Sequence, residues 1–154
     1  MLGANSKMGI DMSRVCTDLN FMGQTEEAFE FYASVFHTTF ATPIVRFGDV
    51  PGPAPLSEDE SHKVLNVALP ILNGHVIMGT DLLASTGHEL RIGNNTTIVL
   101  ATDSRDQGDE FYDALSAGGS ETHDMSDMFW GAYWGVCLDR FGVRWMISQT
   151  PTVD

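Results

Sequence analysis

Cationic side chains are scarce in this chain. Eight Lys+Arg stand against 21 Asp+Glu over 154 residues, a formal charge of −13, and Lys7 and Lys63 are the two lysines. So acidic a surface repels phosphate backbones and anionic headgroups, which argues against nucleic-acid and membrane partners. Cysteine is almost as scarce: Cys16 and Cys137 are too few and too far apart for a disulfide framework or a zinc ribbon. No apolar run approaches the roughly 18–20 residues of a membrane span. The opening Met-Leu-Gly-Ala-Asn-Ser-Lys has neither the apolar stretch nor the cleavage site of a secretion signal, so a cytoplasmic location is expected. Nor is there a Gly-x-Ser-x-Gly elbow to present a nucleophilic serine.

What is present suits one globular domain. Apolar residues make up 43% and charged residues 19%, an ordinary balance for a folded chain of this length. Residues 1–12 are expected to form an N-terminal tail and 13–150 a single domain.

The most informative feature is a repeat. Glu30-Phe31-Tyr32 recurs as Glu110-Phe111-Tyr112, and each copy sits in a stretch of helical periodicity. Ala28, Phe31, Tyr32 and Val35 share one helix face after Thr25-Glu26-Glu27. Phe111, Ala114 and Leu115 repeat the spacing after Asp103–Asp106, and Gly118-Gly119 stops the second helix.

A strand-like run precedes each helix, Arg14–Phe21 and Thr96–Thr102. Three more follow each one: Thr39–Arg46, Lys63–Pro70 and His75–Asp81 in the first half, then Ser120–Met125, Gly131–Asp139 and Val143–Gln149 in the second. Asn73-Gly74 marks a hairpin turn. Gly48–Glu60 is a Pro/Gly-rich acidic loop confined to the first half, and Gly87–Asn95 reads as the linker. The chain therefore reads as an α+β fold of two βαβββ repeats, residues 13–86 and 95–150, whose curved mixed sheet surrounds a central cleft.

Three stretches carry a resemblance. These are Asp18-Leu19-Asn20-Phe21-Met22-Gly23-Gln24-Thr25-Glu26-Glu27-Ala28, the run Leu69-Pro70-Ile71 with Asn73 to Asp81, and Phe129-Trp130-Gly131-Ala132-Tyr133-Trp134-Gly135 with Asp139 to Ile147. On them the chain resembles the vicinal oxygen chelate superfamily of glyoxalase I, extradiol dioxygenases and bleomycin-resistance proteins. Within it the chain is most similar to the PhnB-like branch, often labelled 3-demethylubiquinone-9 3-methyltransferase. The resemblance implies a glyoxalase-like fold and a homodimer. The methyltransferase label finds no support in the residues: the strand-to-helix junctions, Met22–Thr25 and Asp103–Arg105, hold one glycine between them, and a cofactor-cradling turn needs several.

Enzymes of that superfamily hold a divalent metal with a His or Glu from each of four strands. Carried over by resemblance, those positions fall at Thr17, Met78, Thr97 and Met146, and none is a His or a carboxylate. A slip of one residue would bring in Asp18 and rescue nothing at the other three. PhnB-like proteins often have a His where this chain has Asn66. No metal or other cofactor is therefore expected.

The aromatic residues Phe129, Trp130, Tyr133, Trp134 and Trp145 crowd two adjacent strands and could line a cleft for a flat apolar ligand. Period two places Trp130, Ala132 and Trp134 on one face, and Met146 with Arg144 and Ser148 opposite Trp145. The expected function is binding of a small apolar or aromatic molecule by Thr17, Asn66, Met78, Thr97, Trp130, Trp134 and Met146. The alternative is a metal-dependent lyase, isomerase or dioxygenase with displaced ligands such as His75, Asp81 or His62.

Overall fold

The computed structural model describes residues 12–150, so the expected tail lies almost wholly outside the described residues. The first half comprises β1 (Thr17–Phe21), α1 (Thr25–Phe36), β2 (Val45–Arg46), the one-turn α2 (Glu58–Ser61), β3 (Val64–Pro70) and β4 (Val76–Asp81). The second comprises β5 (Ile98–Ala101), α3 (Arg105–Ser116), β6 (Ser120–Asp127), β7 (Tyr133–Leu138) and β8 (Arg144–Gln149). No helix among the described residues is long and apolar enough to cross a membrane.

Each half folds into a four-stranded mixed sheet, ordered β1-β4-β3-β2 and β5-β8-β7-β6. In each, the first strand pairs in parallel with the last, and the other pairings are antiparallel. The repeated sequence is thus a repeated topology, and the expected α+β architecture holds. No closed barrel forms: β1 and β5 are both sheet edges.

Helix boundaries follow from who meets the end amides. Ser104 caps α3 by accepting from Gln107 N. The N-cap of α1, Gln24, makes no such bond. Instead Asp81, at the far end of β4, accepts from Gly23 N, Thr25 N and the Thr25 hydroxyl, and also from Val64 N. One buried carboxylate therefore ties β1, α1, β3 and β4 together. At the other end, His37 adopts left-handed φ (53°) and Thr38 N returns to Ala33 O, which closes the helix.

Strand alternation puts one face of each sheet against the helices. Phe21, Val67, Leu69 and Ile77 are buried in the first half, and Leu100, Cys137, Trp145 and Ile147 in the second. The two sets form a single core, because α1 reaches both. The Tyr32 and Phe36 rings lie 5.5 and 5.8 Å from Trp145, and Phe36 lies 5.2 Å from Phe111 of α3. Asp139, in the β7–β8 turn, accepts from Phe141 N, Val143 N, Trp145 Nε1 and the Tyr32 hydroxyl, the last at 2.6 Å.

Several strands are shorter or longer than the sequence suggests. The expected strand over Thr39–Arg46 contracts to Val45–Arg46, since Pro43 has no N–H to donate to a ladder. β1 begins at Thr17 rather than Arg14, because its partner β4 begins at Val76 and leaves upstream residues nothing to pair with. β6 runs on to Asp127. The Gly48–Glu60 loop opens in a 3₁₀ turn (Phe47–Asp49) and closes in α2, capped by Ser57. The Asn73-Gly74 hairpin forms as expected, both residues at positive φ (53° and 77°) and His75 N bonded to Leu72 O.

Candidate functional site

The faces of the sheets turned away from the helices are open. On the first sheet, register sets Asp18, Met78 and Ala68 side by side across β1, β4 and β3. Asn66, which is exposed, is two residues from Ala68 on the same face of β3. On the second sheet, register sets Val99, Met146 and Val136 side by side, with His123 of β6 beyond. Ser148 and Trp134 form the next row. Met78, Met146 and Trp134 are half-buried, and Val99 is 55% exposed.

Trp134 anchors an aromatic chain at the rim of this second face. Its ring lies 5.2 Å from His123 and 5.8 Å from Trp130, which in turn lies 5.0 Å from Phe129. Phe129 is 97% exposed and Trp130 51%, so the outer end of the chain is an exposed apolar patch. The expected alternation over Gly131–Asp139 is corrected here. Gly131 has φ 95° and ends a turn closed by Met128, so β7 starts at Tyr133, and Ala132 is buried rather than beside the two tryptophans.

The expected aromatic cluster also divides. Trp145 is fully buried beneath α1, and Tyr133 donates to Asp109 of α3 under the Arg105 guanidinium. Only Phe129, Trp130 and Trp134 face the open side.

Two grooves run beside the facing edges β1 and β5. One, of about 300 Å³, lies between β1 and the β7–β8 turn and is lined by Thr17 to Asn20, Leu90 to Gly93 and Phe141 to Arg144. The other, of about 470 Å³, lies between β5 and the β3–β4 turn and takes in Thr17, His75 and Thr96 to Ala101. The grooves mirror the duplication: the first strand of each half runs along the last hairpin of the other. Both have volumes at or near the lower end of the range for small-molecule sites. The first is the more polar, and burial raises the Asp18 carboxyl above its ordinary pKa.

The expected ligand positions shift with the register. Thr17 faces away from Asp18, and its hydroxyl bonds His75 Nε2 at 2.9 Å. Asp18, not Thr17, stands beside Met78. Thr97 precedes β5, and Val99 stands beside Met146. Thr17 and Thr97 therefore line a groove, while Met78 and Met146 lie on the open faces.

A divalent ion held from those four strands would meet a carboxylate, two thioethers and an isopropyl group. That set does not fit a hard or borderline ion. Among the described residues, no three His, Cys, Asp or Glu side chains come together as a metal site. As displaced ligands, His75 and Asp81 do not come together. They bracket β4, about 20 Å apart at roughly 3.3 Å per residue, and Asp81 is fully engaged with α1 and β3. His62 caps the end of α2 and is exposed.

Arg144 and Arg91 line the first groove, though sequence reasoning passed them over as site residues. The signal was present: Arg144 shares a strand face with Met146, and cations are few enough here for each to carry information.

Against proteins already known, a family model described as 3-demethylubiquinone-9 3-methyltransferase matches residues 13–148. The chain is similar to the Pseudomonas aeruginosa protein PA1353, with 28% identity, a TM-score of 0.77, and coverage of 90% of this chain and 98% of that one. It is similar in fold to a Bacillus cereus protein named PhnB and 3-demethylubiquinone-9 3-methyltransferase, with 22% identity, a TM-score of 0.72, and coverage of 90% and 100%. A more distant likeness in fold is to a glyoxalase/bleomycin resistance/dioxygenase family enzyme from Burkholderia phytofirmans, with 15% identity, a TM-score of 0.56, and coverage of 88% and 98%. With a match that spans residues 13–148, the chain belongs to the family described as 3-demethylubiquinone-9 3-methyltransferase.

Proposed function

We propose that this protein binds a small apolar or aromatic molecule and works without a catalytic metal. The observation that carries the reading is the open aromatic rim, Phe129–Trp130–Trp134, adjoining Val136 and Met146 on a sheet face beside grooves of ligand size. The mismatched donor set on the same strands supports the second half of the statement.

Methyl transfer is not part of the reading. A helix N-terminus can hold a cofactor's carboxylate or phosphate only if its amides are available. At the β1–α1 junction, Gly23 N and Thr25 N are held by Asp81.

A homodimer completes the site in this proposal. Both open faces look for cover, and one symmetry mate can lay its first sheet over the second sheet of its partner and the reverse, which closes both at once. The cleft then lies between two chains. A cytoplasmic location goes with this reading.

The test uses the neutral apolar fluorophore N-phenyl-1-naphthylamine, with sedimentation equilibrium alongside. The expected result is a dimer that binds the probe saturably, quenches tryptophan emission, and loses at least about tenfold in affinity in Trp134→Ala. Elemental analysis of protein purified without chelators or a metal-affinity tag is expected to be blank. A stoichiometric transition metal, or a monomer that binds no probe, would sink the proposal.

A further inference from the structure

In a chain of charge −13, most cations are already engaged. Arg46 pairs with Glu26, Lys63 with Asp59 and Arg105 with Asp127, and Arg140 stacks over the rings of Phe31 and Phe141. Arg91 makes no ion pair among the described residues, and it lines the first groove together with Arg144. Its neighbour Ile92 rests on the β7–β8 turn, where a Cβ on Gly142 would come within 2.5 Å of Ile92 Cδ1.

Arg144 is the more unusual of the two. Its side chain is 17% exposed, and Nη2 donates to Glu121 at 2.5 Å. That is one of five N–H donors on the guanidinium. Nε is buried and meets no acceptor, and it alone among the described side-chain nitrogens and oxygens is left so. Proteins rarely leave a desolvated donor unmatched. Asp18 lies on the groove's other wall, and burial raises its carboxyl above the ordinary pKa.

Resting on the small-molecule reading above, we propose that the first groove receives the carboxylate end of an organic acid, held by Arg91 and Arg144, while the acid's apolar body lies along Leu19 and Val143. Arginine is suited to this role because its planar fork matches a carboxylate with two parallel hydrogen bonds.

The test is an amide-resonance titration of the intact protein with 4-phenylbutyrate and its neutral amide, 4-phenylbutyramide. The acid is expected to shift Thr96, Gly142 and Val143 saturably, and to bind at least about tenfold more tightly than the amide. Arg91→Gln, at an exposed position that leaves the fold intact, is expected to weaken the acid at least about fivefold without changing the amide. Arg144→Gln should do the same wherever its thermal transition shows that it folds. Equal affinity for acid and amide, or indifference to Arg91→Gln, overturns the anion site. So does an acid that leaves the groove unperturbed while N-phenyl-1-naphthylamine still binds at Trp134, and in that case the apolar-ligand reading stands. Binding of neither probe overturns both.

Discussion

Asp139 shows how much of the fold one side chain can hold. Two turn amides, an indole and a phenol donate to it from a site where it is 3% exposed. Removing the carboxylate strands four buried donors, each worth about 1–3 kcal/mol when left unmatched and not fully additive. Asp139→Ala is therefore expected to lose about 4 kcal/mol, read as a fall in the urea midpoint with an unchanged slope. Cys137 lies close by, and burial, then Asp139, pushes its thiol up to about 11. Burial and the bond to Asp124 push the Tyr112 hydroxyl up to about 12. These protons are held in the folded chain at pH values where the unfolded chain, with ordinary values of 9.0 and 10.0, has released them. The stability they contribute is complete below about pH 9 and is lost as pH rises through 11 and 12. Urea midpoints are expected to decline from pH 9 upward, with Cys137→Ala flattening the first part of that decline. Iodoacetamide at pH 8 should label the half-buried Cys16 and spare Cys137 until denaturant is added.

Among the elements, α1 depends on a glycine on β4. A Cβ at Gly79 would stand 2.4 Å from Phe29 Cε2 and 2.9 Å from Thr25 Cγ2. Gly79→Ala is expected to cost about 1–3 kcal/mol by prising α1 from its sheet, visible as a lowered melting temperature and a changed near-UV spectrum. Helices, hairpin turn and duplicated topology could all be read from the sequence, because periodicity, capping residues and Asn-Gly are local signals. The lateral registers could not. Thr17 missed the open face by one residue, and a one-residue slip reverses every side chain; Thr97 has the parity of Val99 but lies before β5, because a strand's start is set by its partner. The aromatics were legible as a cluster, but not the division between buried Trp145 and open Trp134. That division follows from α1 crossing to the other half, a contact between residues more than a hundred apart in sequence.

For the whole molecule, the shared core implies one unfolding event. Tyr32 and Phe36 of the first half are buried against Phe111, Phe141 and Trp145 of the second, so neither half has a complete core alone. Fragments 12–86 and 95–150 are expected to be unfolded by circular dichroism when expressed separately, while the intact chain melts in a single transition. Charge acts at this scale too. With −13 spread over a chain of 154 residues, raising salt from about 10 to 500 mM shortens the Debye length from roughly 30 Å to under 8 Å. The melting temperature is expected to rise as self-repulsion is screened.

The repeated tripeptide now does two different jobs. The Tyr112 hydroxyl bonds Asp124 within its own half, whereas the Tyr32 hydroxyl crosses to Asp139 in the other. Two copies of the first half would offer crossing tyrosines with no Asp139 to receive them, and two copies of the second would offer the receiving aspartates with the matching tyrosine, Tyr112, already bonded to Asp124. The two halves are therefore not interchangeable: the bond from Tyr32 to Asp139 requires one of each in the same molecule.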